Sequence, residues 1–374
     1  MISSIEIFFS YSHEDESLKD QLLKHLSNLK RQGVITVWHD RKIGAGREWA
    51  HQIDEHLNKA SIILLLVSPD FMSSDYCNDI EVKRALERHE AREACVIPII
   101  LRPVDWKGAI FEKLQALPSD SRPVSTWTNS DEAFVNIVEG IRSATIQLRA
   151  GQLWSQLLAV KYEEIDKKIG LGEQILALNP DFQAFSDTSI QCYLAALYVN
   201  RGHESQRAVS PDAMLGVFGR PSSTEDARLK IYKRALLDFD RAIALCPNVA
   251  EHYYSRGWLR AKSFSFDDKP VSNQEMIIRR HSEILDYNGA LEDYTHAIEL
   301  APEEGKYYYA RAVLLDPQLE SVERFFRKPD MKKTARQLQA ARDVERATQL
   351  GFLDPETGEP KFDLSGMLRT INHG

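Results

Sequence analysis

The carboxylate of Glu81 sits where a single negative charge could do chemistry. It closes a stretch, Ser68-Pro-Asp-Phe-Met-Ser-Ser-Asp-Tyr-Cys-Asn-Asp-Ile-Glu81, that opens after the apolar run Ile62 to Val67. That run reads as a fully buried strand. The residues after it read as a helix, with Ile80, Ala85 and Leu86 near one face and Lys83, Arg84, Glu87 and Arg88 mostly polar. Strand, turn and helix in that order place Glu81 in a first helical turn at the carboxyl end of a strand, where open α/β sheets put their ligands. A helix N-terminus keeps a carboxylate ionised, which suits an anion that stabilises developing positive charge and would spoil a general acid. A second reading stands beside this one. Asn78-Asp-Ile-Glu81 loosely fits a capping box, with Asn78 as N-cap and Glu81 reaching back from the third position.

Other groups fall near the same edge. Asp40 to Trp49 is a glycine-containing loop with three cations, Arg41, Lys42 and Arg47, and its Gly44 and Gly46 let the backbone turn or approach a ligand. The cations read either as ligand contacts or as solvated loop charges. Phe9 and Ser10 end the first strand and would border a pocket there, although Phe9 reads equally as core. Trp106 follows another strand and offers a ring for stacking or for packing. Cys77 has no histidine beside it in the motif, so a thiol nucleophile is not expected.

The elements that must hold these groups alternate. Ile5, Ile7 and Phe9 form a strand, and a helix from about Glu16 to Lys30 follows, with its apolar stripe at Leu18, Leu22, Leu23, Leu26 and Leu29. Val34 to Trp38 is a second strand, and Ile53, His56, Leu57 and Ala60 mark the next helix. Cys95 to Leu101 is another continuous apolar strand, a weaker one is expected near Val124–Thr128, and a helix at Asp131–Ser143 closes the unit. Near-continuous apolar strands separated by helices imply a parallel sheet covered on both faces.

At this point residues 1–145 resemble the Toll/interleukin-1 receptor (TIR) domains. Phe8-Phe9-Ser10-Tyr11-Ser12 looks like their first box, Asp40 to Trp49 like their BB loop, and Ser68 through Glu81 like their third strand and following helix in the bacterial form. The resemblance implies a flavodoxin-like fold. It also implies that Glu81 stands where some members place the glutamate that cleaves NAD. NAD would then be the substrate and no cofactor would be needed. Arg41, Lys42 and Arg47 would face the pyrophosphate, Trp106 would stack on a base, and the BB loop would meet a neighbouring protomer. One departure weakens the stacking. Many NAD-cleaving relatives carry tryptophan four residues before the glutamate, and here that position is Cys77.

One carboxylate can suffice for that reaction. The nicotinamide of NAD is already cationic and leaves as a neutral pyridine, so the second carboxylate that glycosidases need as an acid is dispensable. What develops is positive charge on the ribose.

From about residue 146 the strand signals stop and helical periodicity takes over. Ala235, Phe239, Ala242 and Pro247 recur as Ala290, Tyr294, Ala297 and Pro302, and again as Ala340, Val344 and Ala347. Tyr253 and Gly257, then Tyr308 and Ala312, open the helix after each proline. Residues 146–374 therefore resemble a tetratricopeptide-repeat solenoid, an all-α second domain. The copies are 55 and 50 residues apart instead of the usual ~34. The surplus falls within each repeat, at about Gly202–Asp226, Lys262–Met276 and Asp316–Lys332, and could form a joint surface for a partner or for self-association. Asp354 to Gly374 is expected to cover the last repeat.

Composition narrows the classes. The chain has 374 residues and a formal charge of −8, and neither half is basic, which argues against duplex nucleic acid as main partner. The four cysteines are far apart and read as free thiols of a reducing cytosol, with no metal-ligand spacing. The first residues lack the pattern of a secretion signal, and no apolar run approaches the ~18 residues of a membrane span. A cytoplasmic protein follows. The expected activity is NAD cleavage, switched on when the repeat region brings protomers together, in prokaryotic immunity by family analogy. A non-catalytic TIR adaptor is the alternative, and a nuclease or nucleotide cyclase is a third, weaker one.

Overall fold

The computed structural model describes residues 4–38, 55–73, 80–185, 188–209, 225–261, 286–316, 319 and 334–353. The chain divides into two compact units, Met1–Ser155 and Gln156–Gly374.

In the first unit β1 (Ile5–Ser10), α1 (Glu16–His25), α2 (Ser27–Arg31), β2 (Ile35–Trp38), β3 (Ile62–Val67), α3 (Pro69–Ser73), α4 (Ile80–Glu90), β4 (Cys95–Ile100) and α5 (Ser130–Ala159) follow in chain order. The four strands are all parallel, in the order β2-β1-β3-β4, with Ser10 opposite Leu65 and Leu64 opposite Ile97. Side chains of a strand alternate between faces, so a strand with both faces covered must be apolar throughout. β3 shows this, with all six residues buried. Ile62, Leu64 and Leu66 join Ile5, Ile7, Phe9 and Ile99 against Leu22, Leu26 and Phe134 on one face. Ile63, Leu65 and Val67 join Phe8 and Ile100 against Leu57, Phe71, Val82 and Ala85 on the other. This two-sided parallel sheet is the flavodoxin-like architecture expected.

Three local expectations need correction. The helix read over Glu16–Lys30 is two helices, broken at Leu26. Val124–Thr126 is a 3-10 turn and not a strand. The place beside β4 is taken by Leu117, whose N–H donates to Pro98 O and whose carbonyl accepts from Ile100 N–H, both at 2.8 Å. Ser125 reaches only the Leu101 carbonyl, at 3.0 Å. The closing helix runs on to Ala159, across the boundary between the units.

The second unit contains α6 (Ile165–Leu178), a hairpin of β5 (Gln183–Phe185) and β6 (Thr188–Ser189), then α7 (Ile190–Val209), α8 (Glu225–Leu245), α9 (Ala250–Ala261), α10 (Tyr287–Leu300), α11 (Gly305–Leu315) and α12 (Ala335–Gln349). The hairpin corrects the expectation that strands end at residue 146. Helices α7 and α8, α9 and α10, and α11 and α12 pack as pairs, and one side-chain interlock recurs in all three. Arg201, Arg256 and Arg311 on the first helices grip Asp238, Asp293 and Asp343 on the second, with carboxylates only 2–3% exposed as residues. Each guanidinium lies over the tyrosine one turn earlier, 5.2 Å from Tyr198, 5.8 Å from Tyr253 and 6.0 Å from Tyr308. Each also reaches a preceding helix, at Asp166, Asp240 and Thr295 respectively. The residue after each arginine is small for a reason visible in the packing. A Cβ on Gly202 would stand 2.8 Å from the Phe239 ring, and one on Gly257 would stand 3.1 Å from the Tyr294 ring.

The cysteine expectation is also corrected. Cys192 and Cys246 form a disulfide across 54 residues of sequence, while Cys95 is free. Helix α7 and the end of α8 carry the two residues to a Cα separation of 5.2 Å, a proximity no spacing along the chain reveals. Of the insertions expected at about Gly202–Asp226, Lys262–Met276 and Asp316–Lys332, residues 202–209 and 225–226 belong to helices α7 and α8, while 210–224, 262–276, 317–318 and 320–332, and the tail Asp354–Gly374, lie outside the described residues.

Candidate functional site

Parallel strands place all their carboxyl ends on one edge of the sheet, and the candidate groups gather along that edge. Ser10 ends β1. It is 5% exposed, and its Oγ is buried with no hydrogen-bond partner among the described residues. A buried hydroxyl gains about 1–3 kcal/mol from finding a partner, so at this edge Ser10 is a candidate polar contact.

Glu81 is the second residue of α4, partly exposed, in the helix's first turn. Val82 and Ala85 bury the helix against the second core cluster, which also includes Phe71, Ile100 and Phe111. The far end of α4 is tied down by Arg88, whose guanidinium donates to the carbonyls of Leu57 and, at 2.9 Å, Ala60. Trp106 is half-buried, lies 6.4 Å from the Phe111 ring at an interplanar angle of 11°, and packs on that same cluster. The structure thus brings Trp106 and the Glu81 helix to one face of the sheet. Phe9 faces the other side, 2% exposed among Leu64, Ile97 and Ile99, where it packs as core. Arg41, Lys42, Arg47, Gly44, Gly46, Cys77 and Asn78 lie outside the described residues.

Just past β3 and β4, at the same edge, stands a polar cluster that sequence reasoning missed. Asp15, 1% exposed at the start of α1, accepts a short hydrogen bond from the Ser68 hydroxyl and one of 2.8 Å from Arg102 Nε. The Ser68 Oγ accepts in turn from the Phe71 N–H at 3.1 Å. Arg102 Nη2 closes on Asp70 Oδ2. Bonding to Asp70 first, opposed by burial and reinforced by Asp15, holds the Arg102 proton more tightly than usual. Asp15 precedes α1, Ser68 follows β3 and Arg102 follows β4, too far apart in sequence for any periodicity to join them. The available signal was a hydroxyl or charged residue just past β3 and β4, at Ser68 and Arg102. Nearby, Lys19 is 1% exposed, pairs with Asp20 at 3.0 Å and lies 4.9 Å from the Tyr11 ring.

Among the described residues, no group of His, Cys, Asp and Glu is placed to hold a metal ion, and no helix is long and apolar enough to cross a membrane.

With this geometry in view, similarity to known proteins becomes informative. Residues 7–137 match the family model described as TIR domain. Uncharacterized protein y4lF of Sinorhizobium fredii is 59% identical over 138 residues, covering 37% of this chain and 43% of that protein. The alignment therefore spans less than half of the relative. The first unit carries a TIR domain, a class that includes both NAD-cleaving enzymes and non-catalytic adaptors.

Proposed function

We propose that the TIR domain cleaves the bond between nicotinamide and ribose in NAD, with Glu81 as the catalytic anion. The observation that carries this reading is the partly exposed carboxylate in the first turn of α4, at the carboxyl edge of a parallel TIR sheet. As nicotinamide departs, the ribose gains positive charge. A carboxylate at ~4 Å and an effective dielectric of about 20 attracts that charge by roughly 4 kcal/mol, near a thousandfold in rate. Nicotinamide leaves neutral and needs no proton. Attack by water gives ADP-ribose, and attack by a nucleophile of the adenosine moiety gives a cyclic isomer. The Ser10 hydroxyl, buried with no partner among the described residues, supports a polar ligand contact, and Trp106 on the Glu81 face supports a stacking surface. Arg41, Lys42 and Arg47 are proposed to neutralise the pyrophosphate.

The second unit is proposed to act as a tetratricopeptide-like scaffold. The threefold Tyr-x-x-Arg-small and Asp interlock supports it. Self-association through TIR domains, or a protein bound by the scaffold, would switch the enzyme on, in the cytoplasm and in an immune role. The test is concentrated full-length protein incubated with NAD and assayed for free nicotinamide. Release that Glu81→Gln abolishes supports the reading, and release unchanged in that variant overturns it.

A further inference from the structure

We infer that Cys192 and Cys246 are a reversible oxidation site, a dithiol that small disulfides close and small thiols reopen, and that its closure fixes the joint between two helix pairs of the second unit. The inference rests on the cytoplasmic placement proposed above and not on the NAD-cleavage reading.

The two cysteines sit in unlike places. Cys192 is the third residue of α7 and is partly exposed. Cys246 directly follows the last residue of α8 and is 8% exposed. Their Cα atoms stand 5.2 Å apart, inside the range a disulfide spans, so closing the bond asks for no large backbone movement. A thiol from solution reaches the partly exposed member first, which makes Cys192 the attacked sulfur and Cys246 the leaving group.

Pairing of α7 with α8 does not hang on this bond. Arg201 donates to both oxygens of Asp238, at 2.9 and 2.6 Å, and Ala195 and Val199 share a cluster with Ala235 and Phe239. What the bond adds falls on a turn. Residues 246–249 join α8 to α9, and there the Cys246 carbonyl accepts from His252 Nδ1 and the Val249 carbonyl from His252 N–H, both at 3.1 Å. The disulfide ties that turn to the start of α7. Further along, α9 is held separately, by Ser255 Oγ with His203 Nε2 at 3.2 Å and by Arg256 Nη1 donating to Asp240 at 2.7 Å. Opening the bond therefore frees the turn and leaves the mid-helix contacts in place.

In a reducing cytosol structural disulfides are rare, and those that form are usually transient or redox-sensing. There the pair rests as two thiols. The oxidant is a small disulfide of the glutathione class. The Cys192 thiolate attacks one of its sulfurs, forming a mixed disulfide and releasing one thiol. The Cys246 thiolate then attacks Cys192 Sγ, closing the protein bond and releasing the second thiol. Two electrons and two protons pass from the pair to the oxidant. Reduction runs the same steps backwards.

The experiment uses full-length protein equilibrated with reduced and oxidised glutathione, in one buffer poised like the cytosol and one poised like an oxidising compartment. Alkylation read by peptide mass spectrometry reports each cysteine, with Cys95, whose thiol burial pushes up, as the slow reference. Amide hydrogen exchange over residues 246–252 is read at labelling times too short for the cores of α10 and α12 to exchange in either buffer. Cys192 and Cys246 are expected to be alkylated in the first buffer and protected in the second. Exchange in the turn is expected to be about tenfold faster in the reduced protein, with cooperative unfolding kept in both states. The Cys192→Ser and Cys246→Ser double variant should show the reduced pattern in both buffers. A pair that stays oxidised in both buffers, or that closes in neither, overturns the inference. So does equal exchange of the turn in the two states, or a reduced parent without a cooperative fold, which would make the bond a structural staple. Nicotinamide release and localisation are measured separately, so none of these outcomes decides the NAD or cytoplasmic readings.

Discussion

Arg256 and Asp293 meet through two parallel hydrogen bonds, Nε to Oδ2 at 3.0 Å and Nη2 to Oδ1 at 2.6 Å, with the aspartate side chain 3% exposed. Planar guanidinium and carboxylate match in this two-pronged way, and the pair joins the helices α9 and α10. The same contact recurs between Arg201 and Asp238 and between Arg311 and Asp343.

The three clasps are not equally backed up, and stability should show it. Asp293 keeps a second cation, Arg260 at 2.8 Å, if Arg256 is removed. Asp343 keeps only the Gln339 amide, at 3.0 Å, among the described residues. A buried charge stripped of its partner costs roughly 3–5 kcal/mol. Arg311→Met is expected to destabilise by about 3 kcal/mol, and Arg256→Met by about half that. Urea unfolding of the full chain measures both. Equal losses would mean that Arg260 does not compensate.

The disulfide gives a second stability prediction. A cross-link closing a loop of 54 residues removes about 4 kcal/mol of unfolded-chain entropy in the loop-closure account. Reductant, or the Cys192→Ala and Cys246→Ala double variant, should lower the unfolding midpoint of the second unit. The double variant should then be insensitive to reductant. An unchanged midpoint on reduction would show that the cross-link does not stabilise the fold.

His252 gives a pH dependence. It is buried, and its Nδ1 lies 3.1 Å from the Cys246 carbonyl, to which it donates. Burial lowers its pKa from the ordinary value near 6.5, with the carbonyl and Glu251 opposing. Below about pH 6.5 the unfolded chain therefore binds the proton that the folded chain refuses, so stability falls as pH falls through that value. Above it the term vanishes. His252→Gln should flatten the unfolding free energy between pH 5 and 7 relative to the parent (as an approximate window). An identical slope in parent and variant would assign the dependence to other groups.

Much of the first unit was legible because its physics is local. A strand covered on both faces must be apolar at every position, and Ile62–Val67 is. The Glu81 helix announced itself by its period, and the Ala235-Phe239-Ala242 pattern marked the second helix of each pair. What stayed hidden is tertiary. Nothing along the chain says that Asp15, Ser68 and Arg102 meet, since each lies in a different turn. Leu117 displaced the expected strand at Val124–Thr128 by taking its place beside β4, a competition that β-propensity does not see. The interlock was half visible. Arg201, Arg256 and Arg311 are spaced by 55 residues each, but charged residues on a helix read as solvated until a buried carboxylate is found facing them.

The charge on Glu81 carries the functional account, and one substitution isolates it. Glu81→Gln keeps the size and the capping capacity of the side chain and removes only its charge. Nicotinamide release from NAD by full-length parent and variant, at matched concentration and matched fold, is the measurement. A fall of about a thousandfold is expected. Parent-level release by the variant would contradict the account.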